Sequence, residues 1–420
     1  MEIIQEKVLS PLQKGVQLIG IGKHGSKKLP DELIVEILVE LKGGTAQPIL
    51  VGAFFGALMM KDLEPGYYLL EEYLGKGSLD NPQIVWNKLC FDAPSFLENI
   101  GIKLINKQTL TLEESETLGA FLFSEEPGEL FRGMAVSILR IRYEADEEYQ
   151  GIYNSIRKSI PAKPVSKKES LIQLAEPFDG VEHSWMITPL LAHELQKIGY
   201  TVISTCGKSS GPKITLNTWD IYKELQSKFL KDSNNLLTSS PEFGWALDHK
   251  DFFPTLDKWV DRRRTIMKRP FLATLEKVLN PVHANILITS VFHIPYLEKM
   301  IELAIMAGFD AVIVLKRGLE GTLAPSLAKA TGIVCAVKMA DGSIRTKNID
   351  STNEDLIHYK AETDAVLENI TTEKNIEYIK KYVREGETGD VDFDLRVKLS
   401  IALYTQGIQW IEQVQKNSDL

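Results

Sequence analysis

The segment from residue 171 to residue 188 has the layout of an anion-binding loop but few of the residues that such a loop needs. An apolar run leads through a turn into a helix, and backbone N–H groups at a helix N-terminus attract phosphate. Close approach of a phosphate to the main chain requires small residues. Glu176 adds negative charge and Pro177 removes a donor, which leaves Asp179 and Gly180. We predict ligand contact at these two residues, with a helix-entry turn capped by Asp179 as the alternative.

A second loop, residues 204–213, follows the next apolar run and combines two lysines with glycines and serines. Ammonium groups, serine hydroxyls and backbone N–H groups can together hold an anion. We therefore predict phosphate or other anion contacts from this loop, and a merely solvated loop is the alternative. The residues assigned to it are Gly207, Lys208, Ser209, Ser210 and Lys213.

A basic segment farther along the chain contains Arg262, Arg263, Arg264, Lys268 and Arg269. We assign Arg263, Lys268 and Arg269 to contact with a substrate or with nucleic-acid phosphates. A charge run of this kind is also typical of a solvated helix face. The net charge of −9 opposes long-range attraction of nucleic acid, so binding would need a locally positive groove.

The sequence predicts no metal site and no cofactor. The seven histidines show no HxH or HxxxH spacing, and Cys90, Cys206 and Cys335 lie far apart. Magnesium is expected only together with a bound pyrophosphate. Isolated cysteines suit a reducing compartment, and neither a signal-peptide pattern nor an apolar run of about 18 residues is present. The expected location is the cytoplasm, with no membrane partner.

Apolar spacing divides the chain into a helical part and an alternating α/β part. Residues 1–160 carry the amphipathic stripes of helices, and two prolines among polar residues make 161–170 a linker. From 171 to 420, short apolar runs alternate with helical stretches, which is typical of a parallel sheet with helices on both faces. The runs are residues 171–174, 200–204, 285–291, 310–315 and 332–337.

The helical part also contains a candidate duplication. Residues 30–75 and 112–152 align with a shift of 81 positions, which pairs Gly52 with Gly133. We predict a helical hairpin that occurs twice, and chance similarity between two amphipathic helix pairs is the alternative.

Several short motifs occur in one order along nearly the whole chain. They are residues 52–61, Asp179-Gly180, residues 188–195, Arg262-Arg263, residues 279–281, residues 291–296 and residues 317–322. Taken together they resemble the anthranilate phosphoribosyltransferase family, within the nucleoside phosphorylase and phosphoribosyltransferase superfamily. The resemblance implies a helical domain joined to an α/β domain, with residues 245–280 partly returning to the helical domain. It also implies a ligand cleft between the domains and a homodimer formed through the helical domain.

Most residues with which that family transfers a phosphoribosyl group are replaced here. Its glycine-rich loop corresponds to residues 175–178, and its two site histidines correspond to Cys206 and Phe253. Its magnesium-binding Asp-Glu pair falls on positions 322–324, which carry no carboxylate. Glu320 remains as a single acid, so we expect no tight Mg²⁺ site there.

These replacements predict a divergent relative of glycosyltransferase or phosphoribosyltransferase ancestry, with a cleft for a phosphorylated ligand and without anthranilate activity. If it is active, it would be a pentosyltransferase. Arg263 matches the arginine that pairs with the substrate carboxylate in the family. A non-catalytic nucleic-acid-binding protein and a scaffold or regulatory homodimer remain the alternatives.

Overall fold

The structure, a computed structural model, describes residues 9–20, 26–159, 170–209, 216–268, 271–368 and 370–418, without the side chains of Ser159, Leu237 and Ser418. The chain divides into two compact units. The first comprises Met1–Ser159 and Lys258–Leu272, and the second comprises Ile160–Asp257 and Ala273–Leu420. The domain bounds inferred from the sequence stay predictions, and residues 161–169 of the expected linker lie outside the described residues. In the described part of the chain, no helix is long and apolar enough to cross a membrane.

Helices make up the first unit and surround the sheet of the second. Their bounds are α1 (Pro11–Ile19), α2 (Asp31–Gly43), α3 (Pro48–Met59), α4 (Glu71–Leu74), α5 (Pro82–Leu89), α6 (Glu98–Ile105), α7 (Leu112–Leu122), α8 (Glu129–Arg142), α9 (Asp146–Ser159), α10 (Thr188–Lys197), α11 (Thr218–Glu224), α12 (His249–Phe252), α13 (Pro254–Ile266), α14 (Leu272–Val278), α15 (Tyr296–Met306), α16 (Thr372–Glu385) and α17 (Val391–Ser418).

The two helices that the candidate repeat aligns, α3 and α8, pack directly against each other in the first unit. A Cβ atom on Gly52 would lie 1.8 Å from the carbonyl oxygen of Leu130, and one on Gly133 would lie 2.0 Å from that of Ile49. No side chain fits at either position. The paired glycines therefore lie at one helix contact, where they permit close backbone approach, while the duplication itself stays a prediction.

The second unit is built on one mixed sheet with the strand order β3-β2-β1-β4-β5-β6-β7. The strands are β1 (Leu171–Ala175), β2 (Thr201–Cys206), β3 (Trp245–Asp248), β4 (Ile286–Val291), β5 (Ala311–Lys316), β6 (Gly332–Lys338) and β7 (Ile344–Asp350). Strands β1 to β5 are parallel, so their carboxyl ends share one edge of the sheet. β6 runs antiparallel to β5, and β7 runs antiparallel to β6.

All five apolar runs predicted as strands are strands, and the α/β fold class is confirmed. The prediction of a parallel sheet is wrong for the run at 332–337. The chain reverses direction after β5, so this strand, β6, pairs with β5 in antiparallel orientation. Two strands were not predicted. β3 has four residues, and β7 is polar and mostly exposed, so neither forms a continuous apolar run.

Helices cover both faces of the sheet. Alternate strand residues such as Ile172, Ile288 and Ile313 belong to one core with residues of α10, α16 and α17. On the opposite face, Gln173 Nε2 donates a hydrogen bond to the Leu279 carbonyl, just after α14, at 2.9 Å. Ligands of open α/β sheets bind beyond the carboxyl ends of the strands. A ligand site is therefore expected at the loops that follow β1, β2 and β5.

Candidate functional site

The loop after β1 begins with Glu176, whose carboxylate accepts hydrogen bonds from donors that an anion-binding loop would leave available for a ligand. Glu176 is 2% exposed, and its Oε1 accepts hydrogen bonds from the hydroxyls of Thr188 and Thr218, the latter at 2.8 Å. Its Oε2 accepts a hydrogen bond from the Leu323 N–H at 3.1 Å. Burial raises the pKa of Glu176, while these three donors favour its charged form. The side chain thus joins the starts of α10 and α11 to the loop after β5.

The ring of Phe178 fills the neighbouring part of the same edge. It is 5% exposed, and its centroid lies 4.4 Å from that of the His249 ring, which follows β3. A Cβ atom on Gly207, the residue after β2, would lie 3.2 Å from Phe178 Cδ2. The Phe178 ring therefore lies against Gly207 after β2 and against the His249 side chain after β3.

Gly180 cannot carry a side chain, because the backbone at Leu216 passes close to it. Its φ of 78° suits glycine, and a Cβ atom would lie 2.2 Å from the Leu216 carbonyl oxygen. That oxygen accepts a hydrogen bond from the Val181 N–H at 2.8 Å. Asp179 is fully buried and does not cap α10, which follows Ile187 without a side-chain cap, so the helix-cap alternative is wrong. Ligand contact at Asp179 and Gly180 stays a prediction.

A second carboxylate, that of Glu320, is bound by the loop after β1. Its Oε1 accepts hydrogen bonds from the His183 N–H at 2.8 Å and from the Ser184 hydroxyl at 2.7 Å. The Glu182 nitrogen lies 3.2 Å from Oε1 and 3.1 Å from Oε2. The loop therefore already holds one anionic group, supplied by the chain itself.

The loop that carries Glu320 is itself fixed by strand and helix residues. The Ser290 hydroxyl at the end of β4 donates a hydrogen bond to the Gly321 carbonyl. The Tyr404 hydroxyl of α17 donates one to the Leu323 carbonyl at 2.7 Å. Thr322, Leu323 and Ala324, the positions on which the family's acidic pair was expected to fall, are all buried.

The sequence interpretation missed the contact between Glu320 and residues 182–184. The available signal was indirect: both loops follow parallel strands, whose carboxyl ends meet at one edge. Which side chain crosses that edge cannot be read from spacing, because the partners are more than 130 residues apart in sequence.

The loop after β2 is described only in part. Gly207, Lys208 and Ser209 are described, whereas Ser210 and Lys213 lie outside the described residues. Lys208 is exposed, with its Nζ 5.8 Å from the centre of the Trp219 ring. It is a cation near the carboxyl edge of the sheet, and its predicted ligand contact remains a prediction.

Two of the three described arginines of the basic segment are packed within the first unit. Arg263 is 1% exposed, and Arg262 donates a hydrogen bond to Glu129 at 2.6 Å. Arg264 has a partly exposed side chain and pairs with Asp261 at 3.4 Å. Arg262 and Arg263 are thus packed in the first unit and Arg264 is exposed. Contact of Arg263 with a substrate or nucleic acid stays a prediction.

Lys268 is buried in the first unit. It is 7% exposed, and its Nζ donates a hydrogen bond to the Ser137 hydroxyl at 3.0 Å. Burial, together with the nearby charges of Lys61 and Arg140, lowers the pKa of Lys268 to about 7. Its predicted ligand contact stays a prediction, and Arg269, also predicted to contact a ligand, lies outside the described residues.

The residues at the sheet edge do not fit a magnesium site. Among the described residues, no group of three or more His, Cys, Asp or Glu side chains could hold a metal ion. Mg²⁺ binds several oxygen ligands, whereas Glu176 and Glu320 each face N–H and O–H donors of the protein.

No family model matches the chain. An uncharacterized protein of Aquifex aeolicus (strain VF5) is 24% identical over 303 residues, which are 72% of this chain and 87% of the relative. Among solved structures, anthranilate phosphoribosyltransferase from Thermus thermophilus matches with a TM-score of 0.53 and 15% identity, over 74% of this chain and 96% of that one. The Saccharomyces cerevisiae enzyme in complex with PRPP and Mg matches with a TM-score of 0.51 and 12% identity, over 93% of each chain. The chain therefore has the fold of an anthranilate phosphoribosyltransferase, as its motifs implied.

Proposed function

We propose that this protein uses a phosphoribosyltransferase fold without transferring a phosphoribosyl group, and that it acts as a scaffold or regulatory binding protein. The observation that carries the proposal is the Glu176 carboxylate, which is buried at the carboxyl end of β1 and is bound by three donors. The donors that could hold a phosphate at this position already hold an acid of the protein.

Charge repulsion supports the same conclusion. Two unit charges about 4 Å apart in surroundings with an effective dielectric constant of about 20 interact by about 4 kcal/mol. Phosphoribosyl pyrophosphate carries several negative charges, so the charged form of Glu176, which its three donors favour and burial opposes, would lower its affinity by up to about a thousandfold. Glu320 adds a second carboxylate bound to the same loop.

Around Glu176, the described residues offer little to stabilise the leaving group, and Lys208, after β2, is an exposed cation. Pyrophosphate departure needs cations or preorganised donors placed at the developing charge. Phe178 and Leu323 contribute apolar groups there, and the nearby donors are bound to carboxylates.

A pyrophosphate-release assay tests the proposal. The full chain is incubated with phosphoribosyl pyrophosphate, Mg²⁺ and a panel of aromatic-acid and nucleobase acceptors, with an active anthranilate phosphoribosyltransferase as the positive control. We expect release no faster than without protein. Acceptor-dependent release by the wild-type chain would contradict the proposal, and loss of that release in Glu176→Gln would locate the activity at this loop.

We also propose a homodimer formed through the helical first unit, as the family resemblance implies. Val35 and Val39 support it, because they lie four residues apart on α2 and are 50% and 66% exposed. Sedimentation of Val39→Glu should show monomers where the wild-type chain shows dimers. Val391→Glu, at an equally exposed valine of the second unit, is the matched control and should remain dimeric. A monomeric wild-type chain would contradict the proposal.

Binding of nucleic acid stays a prediction. The described residues of the basic segment give it little support, because Arg263 and Lys268 are buried and Arg262 is paired with Glu129.

A further inference from the structure

Residues 182–184 present a set of donors that converge on one small volume. The N–H groups of Glu182 and His183 and the hydroxyl of Ser184 all point to the Glu320 carboxylate, at 2.7 to 3.2 Å. Such a set of successive donors is a concave anion site, and the two carboxylate oxygens mark where oxygens of a ligand would lie.

The donors are held in place independently of Glu320. The His183 carbonyl accepts a hydrogen bond from the Leu367 N–H at 3.2 Å, and His183 Nδ1 lies 3.2 Å from the Leu367 carbonyl oxygen. Val181, just before the donors, is tied to Leu216. A ligand would therefore meet a preorganised site, which lowers the ordering cost of binding.

The loop that places the Glu320 carboxylate at these donors has a strained backbone. Glu320 has a φ of 52°, and Arg317 in the same loop has a φ of 57°, both in the region that non-glycine residues rarely adopt. Within its unit, His183 is exposed and Glu182 and Glu320 are partly exposed, whereas Ser184 is 5% exposed, so the set of donors lies at the border between surface and interior. An external anion that takes the donors would release Glu320 from this conformation.

We propose that residues 182–184 form a binding site for a single oxyanion group of a small molecule, which competes with the Glu320 carboxylate. Three donors fit two or three oxygens of one group, so the site suits a phosphate monoester or a carboxylate. The inference goes beyond the proposed function, because it requires neither a phosphoribosyl donor nor magnesium. The Glu320 carboxylate acts as a tethered competitor that keeps the affinity of the wild-type chain low.

Titrations with inorganic phosphate and with acetate test this site. In the wild-type chain, the amide resonances of Glu182 and His183 should shift with phosphate and not with chloride at the same ionic strength. Glu320→Gly removes the competitor and accepts the left-handed backbone, so phosphate affinity should rise at least tenfold. Adding Ser184→Ala to that variant should lower the affinity again by about tenfold, because a hydrogen bond to a charged group is lost. Stronger binding of acetate than of phosphate would identify carboxylates as the ligand class.

Arg317→Gly is the matched control. It relieves strain in the same loop and keeps the carboxylate, so its phosphate affinity should equal that of the wild-type chain. A folded Glu320→Gly that binds phosphate no better than wild type would overturn the proposal, as would an equal gain in Arg317→Gly. If Glu320→Gly does not fold, unchanged amide resonances in the wild-type titration overturn it. None of these outcomes depends on the pyrophosphate-release assay, so the two proposals fail separately.

Discussion

Replacing Lys268 by methionine should stabilise the first unit at neutral pH. Methionine keeps the length and apolar character of the lysine stem and removes the buried ammonium group. The pKa of Lys268 is about 7 in the folded chain and 10.5 in its ordinary state. Folding therefore disfavours the protonated amine. The free-energy cost of this effect to the folded state follows from the two pKa values by linkage.

The magnitude follows from the difference between these two pKa values. A difference of about 3.5 corresponds to nearly 5 kcal/mol, of which roughly 4 kcal/mol applies at about pH 7, where half of the folded molecules are protonated. Loss of the hydrogen bond to Ser137 costs about 1 kcal/mol. The expected net gain is about 3 kcal/mol near pH 7. It should shrink to about zero near pH 10, because the protonation penalty has then fallen to about 1 kcal/mol and is offset by the lost hydrogen bond.

Urea unfolding followed by hydrogen exchange of peptides from α8 measures the first unit separately. Lys158→Met, at an exposed lysine of α9, is the matched control and should change stability by less than about 0.5 kcal/mol at either pH. A destabilised Lys268→Met at neutral pH would refute the reasoning. A gain of equal size at both pH values would refute the assigned pKa and leave only an effect of packing.

Three further substitutions test other parts of the structure by urea unfolding. Glu176→Ala should cost about 3 to 6 kcal/mol, since three buried donors lose their acceptor, and a loss below about 1 kcal/mol would contradict the described contacts. Gly52→Ala should cost about 3 kcal/mol because its Cβ would meet a backbone oxygen, whereas Gly43→Ala, which has open space, should be near neutral; equal effects would refute the close helix contact. Burial raises the pKa of Glu144 from 4.5 to about 7, so its stabilising contribution is complete below about pH 4.5 and is lost as the pH rises to 7. Glu144→Gln should remove that loss, and an unchanged pH profile would contradict it.

The fold could largely be predicted from the sequence, because its central strands are buried on both faces. β4 and β5 are continuous apolar runs, and such runs between helical stretches indicate a covered parallel sheet. β7 could not be found in this way, since six of its seven residues are exposed and it is held mainly by backbone pairing with β6. The direction of β6 depends on the path of the chain between β5 and β6, and the spacing of apolar residues does not predict that path.

The candidate site could be located but not described from the sequence. The residues at positions 175–178 predicted altered phosphate binding, and the structure shows that Glu176 and Phe178 are buried there. The contacts of Glu176 with Thr218 and of Glu320 with Ser184 join loops that are distant in sequence, so no local pattern predicts them. In the basic segment, sequence spacing could not distinguish a solvated helix face from the buried side to which Arg263 belongs.

Calorimetric titration of the wild-type chain with phosphoribosyl pyrophosphate and Mg²⁺ asks whether the carboxylates of Glu176 and Glu320 prevent this ligand from binding at the carboxyl edge of the sheet. We expect no saturable heat up to millimolar ligand, with an active anthranilate phosphoribosyltransferase as the positive control. Saturable binding with a micromolar Kd that requires Mg²⁺ and weakens when Lys208 is replaced by alanine would contradict it.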